Sequence, residues 1–345
     1  METLLCLAHA EPGEPPLRRQ SLETLTKTKA LAEALGAEFS VGLAGENVQP
    51  AADSIAGCGA ARFLGVSGPD FGAARYATDA AAAEALCRAA QATLVIAPAT
   101  PRWNRVMAGV SHRLGGKIDT HLTALDADQG VVRVTRWVYR QRIRTVLGRA
   151  GRPWLLTLEG GIAPAWQGEA GTAAVEPIEA SRPGDGVRSR VLGMEAPAGD
   201  QQTIRPDADL LFVAGAGWTK PQPDGTTRTA EAEQLIREFI DLAHASLGST
   251  KSLVDLGSEG QEVLSFLSHL NQIGQTGATP RHPKGLATCC HGEEPHTVGW
   301  RFVGERRAIS LDPACGWSRG KTDVLYVADA FAVLRELNAL LAQVL

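Results

Sequence analysis

The chain has 345 residues, of which 44% are hydrophobic and 21% charged, and its formal net charge is −4. Such a composition is typical of a folded globular protein, and the length suits two domains. An acidic chain does not favour a nucleic-acid partner, and no apolar run approaches the about 18 residues of a membrane span. Six cysteines are too few for a disulfide framework, and the first residues lack a secretory signal. We therefore expect a soluble cytoplasmic protein with no nucleic-acid partner and no membrane span.

Short apolar strands alternate with alanine-rich helices in the first half of the chain. Gly36 is predicted to end the first of these helices. The predicted strands are Leu4 to Ala8, Ala37 to Leu43, Ala61 to Val66 and Thr93 to Pro98, and the predicted helices are Leu22 to Leu35 and Ala77 to Ala90. Strand and helix in alternation at this spacing indicate an α/β architecture with a parallel sheet.

The pattern changes after Lys117, where strands follow one another without helices between them. Residues 120–125, 131–139 and 153–158 favour an antiparallel or edge addition to the sheet. Residues 160–207 are rich in Gly, Pro, Ala, Glu and Asp, which is typical of a linker or a long surface excursion. We place a domain boundary in that stretch.

The second half restarts an α/β pattern. Strands are predicted at Leu210 to Ala214, Ser252 to Asp255, Leu286 to Cys290, Ala308 to Asp312 and Val324 to Ala328, and helices at Thr229 to Leu247, Gln261 to Leu270 and Ala330 to Leu345. The fold class we predict is therefore α/β, with two Rossmann-like, doubly wound parallel-sheet domains.

Two glycine-containing segments are candidate ligand loops. Gly215-Ala216-Gly217 follows a predicted strand and could cradle a phosphate, although Lys220 stands where a dinucleotide fingerprint has its third glycine. A simple turn is an equal alternative, and a nicotinamide-dependent dehydrogenase would rest on this turn alone. Residues 272–277 (QIGQTG) combine glycines with amide and hydroxyl side chains that suit phosphate oxygens or a heteroaromatic edge.

Soft metal ligands concentrate near the end of the chain. They are His282, Cys289, Cys290, His291, His296 and Cys315. Adjacent Cys289 and Cys290 do not form a CxxC chelate and would point to opposite faces of a strand. Buried structural cysteines are therefore favoured over a metal site.

Four stretches in order resemble the alpha subunit of electron transfer flavoproteins. They are residues 93–125, the strand and glycine turn 210–217, the stretch 247–257 (LGSTKSLVDLG) and the loop QIGQTG at 272–277. The resemblance implies electron transport by a flavoprotein: a heterodimer with a beta subunit, one FAD held by this chain's carboxy-terminal domain, and possible AMP in the beta subunit. It also implies a flavin-linked dehydrogenase as electron donor and a quinone reductase or an iron-sulfur protein as acceptor. No bond-making on a substrate of its own is expected.

The resemblance also assigns cofactor-binding residues. Those expected to line the FAD site are Thr250, Lys251, Gln272, Gly274, Gln275, Thr276, Gly277, His291, His296, Ser310 and Asp312. The family's Ser-Arg pair at the flavin ring reads Thr250-Lys251 here, so the charge is kept but the planar guanidinium fork is lost.

Larger departures fall in residues 290–297, where Glu293 and Glu294 enter a loop that approaches flavin in the family. A flavin-free subunit that scaffolds a larger electron-transfer complex is therefore the alternative function.

The predicted domains are residues 1–190, which contact the beta subunit, a linker at 191–206, and the FAD-binding domain 207–345. The arginine-rich stretch from Arg133 to Arg149 is the candidate partner surface.

Overall fold

The structure is a computed structural model that describes residues 2–139, 143–181, 189–193, 204–205, 208–256, 262–273, 282–288, 300, 303–315 and 322–344. It divides into two compact units, Met1–Met194 and Glu195–Leu345. The first unit contains β1 (Leu4–His9), α1 (Arg19–Leu35), β2 (Phe39–Gly45), α2 (Gln49–Ser54), β3 (Arg62–Ser67), α3 (Pro69–Gly72), α4 (Tyr76–Ala89), β4 (Leu94–Pro98), α5 (Pro101–Arg113), β5 (Lys117–Asp128), β6 (Val131–Val138), β7 (Ile143–Leu147), β8 (Trp154–Leu158) and β9 (Val175–Pro177). The second contains β10 (Leu210–Ala214), α6 (Thr229–Leu242), β11 (Ser246–Ser249), α7 (Lys251–Asp255), β12 (Lys284–Thr288), β13 (Glu305–Ser310), β14 (Val324–Val327) and α8 (Ala330–Val344).

Within its described residues, the first unit forms a nine-stranded sheet in the order β7-β6-β5-β8-β4-β1-β2-β3-β9. The strands from β9 to β5 pair in parallel, so their carboxyl ends meet at one edge. The strand order reverses between β1 and β4. In doubly wound sheets the crevice at such a reversal is where ligands bind.

The antiparallel addition predicted from residues 120–125 and 131–139 is present at the β7 side of this sheet. The prediction is wrong for residues 153–158, which form β8 and pair in parallel with β4 and β5 inside the sheet. β5 pairs with β6 and β6 with β7, both antiparallel. Asp119 fastens the base of this hairpin, because its buried carboxylate accepts hydrogen bonds from the Arg149 guanidinium and, at 2.9 Å, from the Trp154 indole N–H.

Helices cover both faces of the first sheet. Leu25 and Leu31 of α1 are buried in one core, and Leu86 of α4 with Trp103 of α5 in the other. Fully burying a leucine stabilises the fold by roughly 1.5–3 kcal/mol. Gly36 ends α1 in the left-handed region with φ 58°, as its position after the last apolar residue predicts.

The second unit holds a parallel sheet in the order β11-β10-β12-β13-β14 among its described residues. The order reverses between β10 and β12, which puts the crevice of this sheet beside the carboxyl ends of those strands. Phe239 of α6 and Phe331 of α8 belong to one core of this unit. The predicted fold class, α/β with two doubly wound domains, is confirmed.

Several predicted elements of the second half are wrong. Residues 252–255 lie in α7, a helix rather than a strand, because the Thr250 hydroxyl caps it by accepting from the Leu253 N–H at 3.3 Å. The helix predicted from Thr229 to Leu247 ends at Leu242, and its last two predicted residues, 246 and 247, belong to β11. The predicted helix 261–270 is absent where it is described, since residues 262–268 are irregular and only one 3₁₀ turn follows, His269–Asn271.

A smaller difference lies in the stretch predicted as a linker. The stretch 160–207 contributes β9, which pairs in parallel with β3. No helix in the described part of the chain is long and apolar enough to cross a membrane.

Candidate functional site

The crevice of the second sheet is bounded by a row of side chains on three neighbouring strands. Ser249 of β11, Ala214 of β10 and Thr288 of β12 are register partners at the carboxyl edge. The Thr288 hydroxyl accepts from the Trp218 indole N–H at 2.8 Å and donates to the Val213 carbonyl at 3.0 Å. Trp218 is fully buried, so its indole fixes one side of this edge.

The glycine turn after β10 does not lead directly into a helix. Residues Ala216–Trp218 form a single 3₁₀ turn, and α6 begins only at Thr229. The Trp218 ring packs edge-on against Phe331 with 4.6 Å between ring centroids. The sequence suggested that this turn could present the amino end of a helix to a phosphate. In the structure the turn instead holds a core tryptophan and does not lead into α6.

Thr250 and Gln272, two predicted cofactor-binding residues, lie together at the end of β11. The Thr250 N–H donates to the Ala214 carbonyl at 2.9 Å. Gln272 forms an isolated parallel bridge with Ser249, and the next N–H, of Ile273, donates to the Ser249 carbonyl at 3.1 Å. Thr250 and Gln272 are both buried, so the edge of the sheet holds polar side chains out of solvent.

Lys251 follows at the first position of α7 and is half exposed. Its ammonium group is paired with the Asp255 carboxylate one helical turn later. Asp255 Oδ1 also lies 3.8 Å from His269 Nδ1. Lys251, which was predicted to lie at the flavin ring, is thus held just after the carboxyl end of β11 by Asp255 of the same helix.

Ser310 and Asp312 lie at the carboxyl end of β13. The Ser310 hydroxyl accepts from the Asp312 N–H at 3.2 Å, and Asp312 Oδ1 accepts from the Ala314 N–H at 2.8 Å. These bonds order the turn that leaves the strand. β13 lies three positions from β11, roughly 14 Å away at the usual spacing of strands, so the two groups bound opposite ends of one edge.

Six predicted site residues lie outside the described residues. They are Gly274, Gln275, Thr276, Gly277, His291 and His296.

A buried hydroxyl tests whether this edge fits a polar cofactor. Ser249 is fully buried, and its Oγ has no hydrogen-bond partner among the residues that the structure describes. A buried hydroxyl without a partner costs about 1–3 kcal/mol, so such groups are normally satisfied by a ligand or water. With Thr250 and Gln272 beside it, the donor and acceptor set fits a hydroxylated, phosphate-containing cofactor such as a flavin nucleotide.

The first unit contains a cavity that sequence reasoning missed. It has a volume of about 990 Å³ and lies at the carboxyl ends of β1, β2 and β4, where the strand order reverses. His9, Glu46, Thr100, Trp103 and Arg105 are among its lining residues. These residues are up to 96 positions apart in the chain, so only the order of the strands, and no local motif, could have indicated the site.

His9 and Trp103 form a stacked pair in the wall of this cavity. Their ring centroids are 3.9 Å apart with 24° between the ring planes. Burial lowers the pKa of His9 well below its usual value, and the nearby Arg102 and Arg105 charges lower it further. The imidazole is therefore neutral at physiological pH. Its Nε2 lies 3.7 Å from Asp79 Oδ1 and has no hydrogen-bond partner in the described part of the chain.

Asp79 ties that wall to the neighbouring loop. Its buried carboxylate accepts from Arg102 Nη2 at 2.7 Å and Arg105 Nη2 at 3.2 Å. Arg102 also donates to the Phe71 and Gly72 carbonyls at 2.6 and 3.2 Å. The network holds the segment before α4 against the start of α5.

The β6–β7 hairpin presents apolar and basic side chains to solvent. Tyr139 is 76% exposed, and Ile143 and Val146 are each 51% exposed. Among the described strands β7 is the outer one of the sheet, and the exposed Arg144 lies between Ile143 and Val146 along it. Unpaired backbone groups on an apolar edge strand are a template for association with another chain.

The suggested metal ligands are not gathered in the described part of the second unit. Cys315 is buried, and His282 Nε2 lies 2.8 Å from the Arg205 carbonyl oxygen. Cys289, Cys290, His291 and His296 lie outside the described residues. Among the residues that the structure describes, no group of three His, Cys, Asp or Glu side chains could hold a metal ion.

Comparison with protein families decides the relationship. The family model of the electron transfer flavoprotein domain matches residues 6–183, just over half of the chain. The chain belongs to the electron transfer flavoprotein family. A search of curated proteins gave no match. Among solved structures, the chain is similar to the glycosyltransferase SnogD from Streptomyces nogalater, with 12% identity, 99% of this chain and 94% of that chain covered, and a TM-score of 0.23.

The match covers most of the first unit, from within β1 to beyond β9, and most of the residues that line the cavity. It supports an electron-transfer role of the flavoprotein type for this chain, and members of the electron transfer flavoprotein family generally bind flavin.

Proposed function

We propose that this electron transfer flavoprotein chain is the alpha-type, FAD-binding subunit of an electron carrier. The observation that carries the proposal is the set of polar residues at the carboxyl edge of the second sheet, in a chain whose first unit matches the family. Thr250, Gln272 and Ser310 all lie at that edge, on the strands that bound the crevice or beside it.

The chain's own residues would bind and orient the cofactor. The unpaired Ser249 hydroxyl would donate to or accept from a polar group of the nucleotide, and Gln272 beside it offers an amide. Ser310 and Asp312 would hold the other end, with the turn after β13 ordered by their backbone hydrogen bonds. When bound, the flavin supplies reversible uptake of electrons, and the protein sets its potential and exposes its edge to partners.

Lys251 would place a positive charge beside the flavin. A cation near the ring favours the negatively charged reduced form and raises the potential. Asp255 partly neutralises this charge, because the two groups form an ion pair within α7. We therefore expect a weaker effect than a free arginine would give.

The proposal includes a heterodimer with a beta subunit. Its support is the pair of strands β6 and β7, which combines exposed Tyr139, Ile143 and Val146 with the arginines Arg133, Arg136 and Arg144. Donor and acceptor are then proteins of the electron-transfer chain: a flavin-linked dehydrogenase on one side, and a quinone reductase or an iron-sulfur protein on the other.

A flavin titration tests the site. The heterodimer of this chain with its beta subunit is stripped of flavin, and FAD is added while flavin fluorescence is followed. We expect saturation at one FAD per heterodimer, with binding weakened about tenfold or more by Ser249→Ala. Ser252→Ala, a change in α7 outside the residues assigned to the site, is the matched control and should leave the affinity unchanged.

The alternative is a flavin-free scaffold subunit, favoured by Glu293 and Glu294 in the segment 290–297. A heterodimer that stays colourless after incubation with FAD would establish that alternative and contradict the carrier function.

A further inference from the structure

The cavity of the first unit is a second site, separate from the proposed flavin site in sequence and in sheet. Its volume of about 990 Å³ is at the upper end of the size range of small-molecule pockets. It occupies the reversal of strand order between β1 and β4, the position at which doubly wound sheets bind ligands. Nothing assigned to this chain so far uses it.

Part of the cavity lining favours a negative charge. The amino ends of two long helices reach it: α1, through Arg18 and Ser21, and α5, through Thr100 and Pro101. Arg18, at the start of α1, makes no side-chain cap, so the first N–H groups of that helix are not satisfied by a cap. At α5 the Thr100 hydroxyl already accepts from the Trp103 N–H and Pro101 has no N–H, so that helix contributes mainly its dipole. Backbone N–H groups and the helix dipole make such ends suited to anions.

Arg105 adds a side-chain donor to the lining. One of its nitrogens is bound to Asp79, and its side chain remains 43% exposed. A guanidinium has five N–H groups, so Arg105 can hold Asp79 and still bind an anion. Arg102, in contrast, is taken up by Asp79 and by backbone carbonyls.

The charges around the cavity limit the ligand to a low negative charge. Arg18, Arg102 and Arg105 line it together with Glu11, Glu14 and Glu46. Glu11 pairs with Arg18 at 2.9 Å, and Asp79 is bound by the other two arginines. With as many carboxylates as guanidiniums in the wall, a polyphosphate would meet strong repulsion, whereas a single anionic group at the helix ends would not.

Glu46 supplies a hydrogen-bond acceptor in the lining of the cavity. It follows β2 directly, is exposed, and makes no salt bridge with any residue in the described ranges. An ionised carboxylate only accepts hydrogen bonds, so it selects a ligand with hydroxyl or amino donors. The stacked His9 and Trp103 rings give a flat, largely apolar face in the same cavity.

We propose that this cavity binds a hydroxylated small molecule with one terminal anionic group, a sugar monophosphate or a sugar acid. The anionic group lies at the amino ends of α1 and α5 beside Arg105, and the hydroxyl groups donate to Glu46. The site belongs to the first unit alone and does not depend on flavin binding.

Calorimetric titration of the full-length protein tests the proposal with four probes. These are ribose 5-phosphate, glucuronate, inorganic phosphate and glucose. We expect one-site binding of ribose 5-phosphate or glucuronate, and the member of the pair that binds more tightly identifies the anionic group. Inorganic phosphate and glucose each satisfy only one part of the site, so both should bind at least about tenfold more weakly.

Variants tie the binding to the named residues. Glu46→Gln and Arg105→Gln should each weaken the better probe about tenfold, because each removes a charged hydrogen-bond partner. Two matched controls are used. Glu38→Gln changes an exposed glutamate before β2, and Arg113→Gln changes the last residue of α5, which pairs with Glu84 of α4. Equal affinity in all four variants, or no heat from any probe at millimolar concentration, would overturn the proposal.

Discussion

The buried His9 makes a prediction about how the stability of the first unit depends on pH. His9 is 5% exposed, and its ring is stacked on Trp103. Burial is the main cause of its lowered pKa, and the charges of Arg102, Arg105 and Arg18 add to it. Asp79 does not reverse the effect, because two guanidiniums already share its carboxylate.

The sign follows from which state binds the proton. In the unfolded chain the imidazole titrates near 6.5, whereas in the folded protein it stays neutral well below that value. As the pH falls below 6.5, the unfolded state therefore takes up one more proton than the folded state. The free energy of unfolding should therefore decrease as the pH falls. The contribution of this residue approaches about 1.4 kcal/mol per pH unit between the unfolded pKa and the folded pKa.

The assay compares the wild type with His9→Phe, which keeps an aromatic ring beside Trp103 but cannot be protonated. The free energy of unfolding is measured in urea between about pH 7.5 and about pH 5.5. Hydrogen exchange of the β1 and β4 amides is the readout, so that the first unit is measured by itself. The difference in unfolding free energy between the two proteins should change by about 1 kcal/mol across this range. His112→Asn, at an exposed position, is the control and should run parallel to the wild type. Parallel curves for His9→Phe and the wild type would refute the argument.

Three further predictions follow from other contacts. Burial raises the pKa of Asp119, but hydrogen bonds from Arg149 and Trp154 outweigh it and hold the pKa below the ordinary 3.8. Asp119→Asn should therefore lower the free energy of unfolding, measured in urea, by about 2 kcal/mol at neutral pH. This difference from the wild type should shrink as the pH falls through and below 3.8, and a difference that does not depend on pH would contradict the argument. Thr250→Val removes the cap of α7 and should reduce hydrogen-exchange protection there by about 1 kcal/mol, while Thr250→Ser should not; equal protection in both would count against the cap. Lys251→Ala should lower the reduction potential of the bound flavin by tens of millivolts, and Lys251→Arg should not. An unchanged potential of Lys251→Ala in a potentiometric titration would show that Lys251 does not lie beside the flavin ring.

The sequence predicted best where apolar patterns are local and strongly bounded. β4 and β10 are continuous apolar runs, and α1 ends at Gly36, where a left-handed residue is needed. β9, only three residues long, is stabilised by its pairing with β3, more than a hundred positions earlier, and so has no local signal.

Short polar-apolar segments were ambiguous for the same reason. Leu253 and Val254 form an apolar pair that suits a strand or a helix, and the cap by Thr250 decides for the helix. α6 ends at Leu242 without a glycine or proline, so only the pairing of β11 with β10 shows where the strand starts.

The candidate sites divide in the same way. The resemblance to the family's motifs implied Thr250 and Gln272 as site residues, and the structure brings them together at the end of β11. The cavity of the first unit has no motif, because it is built where β1, β2 and β4 end and α1 and α5 begin. Its existence depends on the order of the strands in the sheet.

The most direct test of the central claim is the visible absorption spectrum of this chain purified with its beta subunit, with release and mass identification of the chromophore. The electron-carrier function predicts a flavin spectrum and about one FAD per heterodimer. A heterodimer that is colourless and remains so after incubation with FAD would contradict it.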